Sequence, residues 1–268
     1  MKFHRTAKQK KDVKIKVEEN SGKLISLVAD GIEILKTPLK LNVVRYTDND
    51  RNFSHTWLEE YKLGRLTQQI RECEKLENGY KFKGYLVANC NLPAVNFNLA
   101  YLIENGVLKI EFGYEIADHI KNLPRIGFEF GIDKSFANFS YIGFGPYESY
   151  VDKNMSCEYG YYESNAYKNY DRNFIMPQES GSHYFSKYLK VNNAFTVTAD
   201  NPFSFSVNPY TTKQLCETLH NHELKKNDFV NVCLDLYMRG IGSHSCGPEL
   251  DAKYEIPKKG KITFDVKV

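Results

Sequence analysis

Val95-Asn96-Phe97-Asn98-Leu99-Ala100-Tyr101-Leu102-Ile103-Glu104-Asn105-Gly106-Val107-Leu108-Lys109-Ile110-Glu111-Phe112-Gly113-Tyr114 decides the fold class. Val95, Phe97, Leu99 and Tyr101 fall on one side of an extended chain, and Leu108, Ile110, Phe112 and Tyr114 repeat the pattern. A period of two sends alternate side chains to opposite faces, which marks a half-buried strand. Asn105-Gly106 between the two runs suits a tight hairpin, because both residues tolerate positive φ. The same alternation occurs at Val13, Ile15 and Val17 among lysines, and at Tyr80 and Phe82 among Lys81 and Lys83. It returns at Ile262, Phe264, Val266 and Val268. Asp30-Gly31 and Asn78-Gly79 are two further hairpin dipeptides. Only short helices fit between: Ser54 as a cap for residues 56–63, and Thr211 as a cap for residues 212–219. Many short strands without βα alternation predict an all-β protein, with antiparallel sheets packed as a sandwich. Residues 1–12 read as a tail and 13–268 as one domain.

The 268 residues are 42% hydrophobic and 26% charged, which excludes disorder, collagen and a disulfide-stapled miniprotein. Aromatic residues reach 14%; rings of this kind favour strands and also stack on sugars and bases. A net charge of +3 gives no basis for nucleic-acid binding. Arg5, Lys8, Lys10 and Lys11 read as a solvated terminus. No apolar run has the length of a membrane span, and Met1-Lys2-Phe3-His4 does not lead into a signal-peptide core. Six widely spaced cysteines without a CxxC read as reduced thiols, so no metal site and a cytoplasmic location are expected.

No Walker loop, GxGxxG, GxSxG or HExxH is present. Gly143-Phe144-Gly145-Pro146 reads as a tight loop between strands, not a phosphate cradle. His220 and His222 would point the same way on a strand, but without a third ligand they read as polar loop residues. The cluster at residues 47–51 reads as a turn network in which Asp48 and Asp50 accept backbone amides or pair with Arg51. Residues 242–248 join glycines and a proline to Ser243, His244, Ser245 and Cys246, and read either as a ligand loop or as a surface turn.

Taken in order, these clusters resemble the C-terminal domain of the large β-galactosidases of glycoside hydrolase family 2, which is also found as the small chain of two-subunit versions. The series begins with Pro38-Leu39-Lys40-Leu41-Asn42 and Arg45-Tyr46-Thr47-Asp48-Asn49-Asp50-Arg51, and passes through Leu123-Pro124-Arg125-Ile126-Gly127. Tyr141-Ile142-Gly143-Phe144-Gly145-Pro146-Tyr147-Glu148-Ser149-Tyr150, with Asp152, precedes Met176-Pro177-Gln178-Glu179-Ser180-Gly181. Phe205-Ser206-Val207-Asn208-Pro209-Tyr210, His220-Asn221-His222-Glu223-Leu224, Gly240-Ile241-Gly242 and Ser245-Cys246-Gly247-Pro248 complete it. The entry motif departs from the family's R-x-P-T-D-N-D: Tyr46 stands in place of proline, Arg45 lies one residue closer to the threonine, and Asn52 replaces glycine.

The resemblance implies a large antiparallel supersandwich like that of galactose mutarotase. It places the catalytic glutamates and metal ions in a separate barrel, which needs about 250 residues of its own. The chain is then expected to be inactive alone, to hold no catalytic residue, metal or cofactor, and to complete the sugar site of a catalytic barrel domain or large subunit. Its substrates would be terminal β-D-galactosides such as lactose, with neither nucleic acid nor membrane as a partner. By the same resemblance Ser243, His244, Ser245 and Cys246 contact substrate, with Cys246 where one branch of the family has a sugar-stacking tryptophan. Two other functions remain open at this point. One is a mutarotase-like epimerase, for which His183, His220, His222 and Glu223 are the acid–base candidates. The other is a carbohydrate-binding module.

Overall fold

The computed structural model describes residues 12–47, 50–88, 92–242 and 248–268, and only the backbone of Arg51 and Asn52. Its first strands are β1 (Val13–Glu18), β2 (Lys23–Ala29), β3 (Ile32–Glu33) and β4 (Leu35–Asn42). A second group holds β5 (Thr67–Leu76), β6 (Gly79–Val87), β7 (Val95–Glu104) and β8 (Val107–Ile116). The third holds β9 (Arg125–Asp133), β10 (Asn138–Gly145), β11 (Glu158–Asn165) and β12 (His183–Val191). The last strands are β13 (Phe195–Asn208), β14 (Phe229–Met238) and β15 (Lys259–Lys267). Every pairing among the described residues is antiparallel. The main path runs β1-β2-β4-β9-β14-β13-β15-β8-β7-β6-β5, with β10, β11 and β12 attached through β13. This curled sheet is the expected all-β supersandwich.

Alternation along the sequence becomes burial in the fold. Phe97, Leu99, Tyr101, Leu108, Ile110, Phe112 and Tyr114 are all buried, while Asn96, Asn98 and Glu111 face solvent. Many of the aromatic rings are core. Phe112 meets Phe128 edge to face at 5.1 Å, Phe128 meets Phe264 at 6.3 Å, and Phe264 meets Phe203 at 5.5 Å. Such edge-to-face contacts link β8, β9, β15 and β13 across the sandwich.

Two hairpins form as read. Asn105-Gly106 (φ 54° and 76°) joins the Glu104↔Val107 pair, and Asp30-Gly31 (φ 49° and 83°) joins Ala29↔Ile32. The third shifts by one residue. Glu77-Asn78 makes the turn, and Gly79 is already in β6 opposite Leu102. A Cβ on Gly79 would lie 1.9 Å from the Tyr101 carbonyl oxygen, so glycine serves the strand contact here and not the turn.

The helices are short. The first starts sooner than a cap at Ser54 would allow. It runs as α1 (Arg51–Ser54) into a π-turn at His55–Glu60, because Phe53 and Trp57 stack at 5.1 Å and bury the indole, whose Nε1 donates to Asn122 Oδ1 at 2.9 Å. A single turn, α2 (Ala166–Asn169), links β11 to the loop before β12. Thr211 caps α3 (Thr212–Glu217) with a reciprocal box in which Gln214 Oε1 accepts from the Thr211 amide at 2.9 Å. This helix stops two residues before the expected end.

Gly79→Ala should lower the unfolding free energy by about 1–3 kcal/mol in urea titrations, since the added methyl meets backbone. Gly31→Asn, in open space at a position that asparagine accepts, should change it by less than about 0.5 kcal/mol.

Candidate functional site

At one end of the sandwich the loops are held by buried ions. The turn closed by the Asp50 amide on the Thr47 carbonyl (3.0 Å) folds residue 50 back over residue 45. Arg45 then binds Asp50 through both prongs, Nε to Oδ2 at 2.9 Å and Nη2 to Oδ1 at 3.0 Å. The sequence offers backbone amides or Arg51 as partners of Asp50; the fold adds Arg45, and the Arg51 side chain lies outside the described residues. Asp48 lies outside the described residues. Arg45 Nη1 also donates to the carbonyl of Arg239, and Nη2 to that of Gly240 at 3.3 Å. Both ions are buried, and the fork geometry of guanidinium on carboxylate satisfies them together.

A second buried arginine lies alongside. Arg125 donates from Nε and Nη2 to Asp235 at 2.9 and 2.6 Å, and from Nη1 to Glu179 at 3.2 Å. Burial raises the carboxyls of Glu179 and Asp235 above the usual acid range, and Arg125 offsets only a fraction of that rise. The Glu179 amide also donates to the Tyr46 carbonyl at 2.7 Å, which ties the two arginine centres together. These acids are sealed from solvent and engaged by arginine, so neither can flank a glycosidic bond.

Asp152 supplies the third anchor. Its Oδ1 accepts from the Ile241 amide at 3.0 Å and its Oδ2 from the Gly242 amide at 2.7 Å. A Cβ on Gly240 would come within 2.5 Å of that carboxylate, which accounts for glycine there. Arg239 is clamped bidentately on Glu255 (2.8 and 2.7 Å) and lies 4.5 Å over the Phe53 ring. Residues 239–242, the stem of the loop singled out in the sequence, are therefore held by Arg45, Asp152 and Glu255. Ser243, His244, Ser245 and Cys246 themselves lie outside the described residues.

The other sequence candidates are not brought together. His183 is buried against Tyr141 and hydrogen-bonded through Nε2 to Asn169 Oδ1 at 2.9 Å, and burial lowers its pKa to about 3. His220 and His222 lie instead on an exposed 3-10 turn, Asn221–Glu223, with their rings stacked at 5.5 Å and Glu223 accepting from the His220 amide. They are not on a strand, and among the described residues no three potential ligands are grouped for a metal. The thiols of Cys216 and Cys233 are pushed up by burial, that of Cys216 to about 12, so neither is a nucleophile at neutral pH. The expected loop at residues 143–146 is instead strand as far as Gly145: Gly143, Phe144 and Gly145 pair with Gly160, Tyr159 and Glu158 of β11, and only Pro146 lies beyond β10. A concavity of about 500 Å³ lies on the face of β5–β8 and β15. Lysines and glutamates of opposite sign line it, with Lys83 and Glu72 2.7 Å apart, and the two rings in its lining, Phe82 and Phe112, are both buried. Sequence reasoning missed the Arg125–Glu179–Asp235 centre. Its signal was an arginine and a glutamate inside separate motifs, but Asp235 lies in an ordinary apolar strand.

A family model described as "Beta galactosidase small chain" matches residues 9–268. The chain belongs to that family. It is 35% identical over 242 residues to a β-galactosidase of Actinobacillus pleuropneumoniae, a match covering 88% of this chain and 24% of that protein. A β-galactosidase of Staphylococcus xylosus is 31% identical over 231 residues, covering 82% and 23%. The chain thus spans about a quarter of the length of these relatives. Among solved structures, a putative aldose 1-epimerase from Escherichia coli K12 superposes with a TM-score of 0.51 at 9% identity, covering 95% of each chain. A galactose mutarotase-like protein from Lactobacillus casei ATCC 334 gives 0.50 at 11% identity over 96% of this chain and 97% of that one. At such low identity the likeness establishes the supersandwich fold of the small chain and nothing about its chemistry. No helix among the described residues is long and apolar enough to cross a membrane.

Asp50→Ala strands the Arg45 charge in the interior and should cost about 3–5 kcal/mol of unfolding free energy in urea titrations. His183 gives a pH signature. Its folded pKa of about 3 lies below the ordinary value of 6.5, so between those values only the unfolded chain takes up the proton. Stability should therefore fall as pH drops below 6.5, by up to about 1.4 kcal/mol per pH unit. Equilibrium unfolding between pH 7.5 and 5.5 should show a shallower loss in His183→Gln than in the parent.

Proposed function

We propose that this chain is the non-catalytic small-chain component of a cytoplasmic β-galactosidase that hydrolyses terminal β-D-galactosides such as lactose. In this reading it completes the sugar site of a catalytic barrel carried by the remaining polypeptide, and supplies no catalytic residue, metal or cofactor. The observation that carries it is the anchoring of residues 239–242 by Arg45 and Asp152, since a loop that is to meet a sugar must leave a rigid stem. Glycines at this stem and the hydroxyl and imidazole groups of Ser243, His244 and Ser245 suit hydrogen bonding to sugar hydroxyls, and Cys246 takes the sequence place of a sugar-stacking tryptophan in one branch of the family. The epimerase alternative draws no support from His183, which is buried away from solvent.

The test is complementation. Mixing the chain with the polypeptide that carries the barrel of the same enzyme should raise hydrolysis of a chromogenic galactoside well above either component, with the chain alone inactive. Cys246→Ala in the assembled enzyme should change KM or acceptor preference more than the nucleophilic step, because a contact residue affects binding before chemistry. Hydrolysis by the purified chain, abolished by mutating one of its own acidic residues, would overturn the assignment.

A further inference from the structure

Phe185 is an aromatic residue at φ 55°, a left-handed conformation that bulky side chains rarely adopt. It sits in β12 where the pairing with β13 slips between His183 and Ser186, and slips again before Tyr188. The result is a ring turned outward and 40% exposed in a strand whose neighbours Ser182, His183 and Ser186 are buried. Phe185 is not alone. Tyr159 packs against it at 6.2 Å, and Phe144 stacks on Tyr184 at 6.1 Å with an interplanar angle of 10°. Strain of this kind persists where the surrounding fold imposes it, and it gathers at sites of function.

Beside the ring lies a groove of about 310 Å³. It opens because β13 changes neighbours: residues Thr196–Ala199 of β13 pair with β15, whereas Ser204–Asn208 pair with β14. Pro202 falls in the gap and has no amide proton to close it. Tyr237, 38% exposed at the bulge after Asp235, forms another wall, and Asn201 and Lys253 are exposed at the rim. Val151, Met238 and Tyr254 also line the groove, and the Tyr254 carbonyl accepts from the Gly240 amide at 3.0 Å. The groove therefore adjoins the stem that Asp152 and Arg45 hold. Exposed Tyr147, Tyr159, Tyr161 and Met155 lie on the neighbouring strands and loop.

We infer that the remaining polypeptide of β-galactosidase docks on this groove, with the Phe185 ring as its anchor; this rests on the small-chain reading above. The relatives carry about three quarters of their length beyond the region matched, and that mass must cover some surface of this domain. An apolar, ring-walled centre with polar residues at its edge has the make-up of such an interface. A partner seated here would also lie against the loop stem.

The probe is the barrel-bearing polypeptide of the same enzyme, titrated with the chain and followed by calorimetry and by regained galactosidase activity. Phe185→Gly relieves the left-handed backbone while removing the ring, and Phe185→Asn does so with a polar side chain. Both should keep or raise the thermal midpoint and weaken association by at least about tenfold. Activity at limiting chain should fall accordingly and return to the parent kcat at saturation. Tyr237→Ala should weaken association by a smaller factor. Variants that associate as tightly as the parent overturn the inference while leaving the small-chain reading intact. So does a lowered thermal midpoint with unchanged affinity, which would make the ring a core filler. Lactose titrating onto the parent chain but not onto Phe185→Gly, with association unchanged, would assign the groove to a sugar; self-association lost in Phe185→Gly would assign it to a second copy. No association by the parent chain overturns the small-chain reading and the inference with it.

Discussion

The Arg45 guanidinium is the interaction around which the functional end is arranged. It answers a buried carboxylate on one side and two backbone carbonyls nearly two hundred residues away on the other. A hydrophobic pair of the same size could fill the space, but it would not fix the direction of the carbonyls at 239 and 240. Buried ion pairs are often no more stabilising than apolar replacements; their contribution here is geometric. Arg125 acts in the same way beside it, drawing β9, β14 and the segment at Glu179 together. The end of the sandwich is thus specified by charge, and its body by apolar packing.

The fold was legible because burial follows a period of two. The β7–β8 hairpin displays both faces and its turn in one stretch, and β1, β6 and β15 repeat the rule. The turn at Glu77-Asn78 was misplaced by one residue because Gly79 answers to a neighbouring strand, a contact that local sequence does not record. The early start of α1 has a similar cause, in the burial of Trp57 against Asn122 and Arg239.

The site was only partly legible. The motifs pointed to Arg45, Asp152, Glu179 and Gly240, but not to who binds whom. Asp50 reads in the sequence as an acceptor of backbone amides or a partner of Arg51, and it is the hydrogen bond from its amide to the Thr47 carbonyl that brings it to Arg45. His183, His220 and His222 are acid–base candidates only for the epimerase alternative, and the fold separates a sealed imidazole from two solvated ones. Phe185 carried no sequence signal, since its backbone conformation arises from a slip in register between two strands.

The position of β15 has a further consequence. Among the described residues, the strand ladder of the main sheet passes from β5–β8 to β9, β13 and β14 through this strand, which lies between β13 and β8. Two sub-sheets can each assemble from partners near in sequence or already present. They become one sheet only when residues 259–267 insert between them, a closure whose loop entropy is large and which is slow for that reason. Until then both sub-sheets have open edges, ready to pair with another chain. The same nine residues that give the molecule its continuity therefore govern how long it is vulnerable to aggregation as it folds.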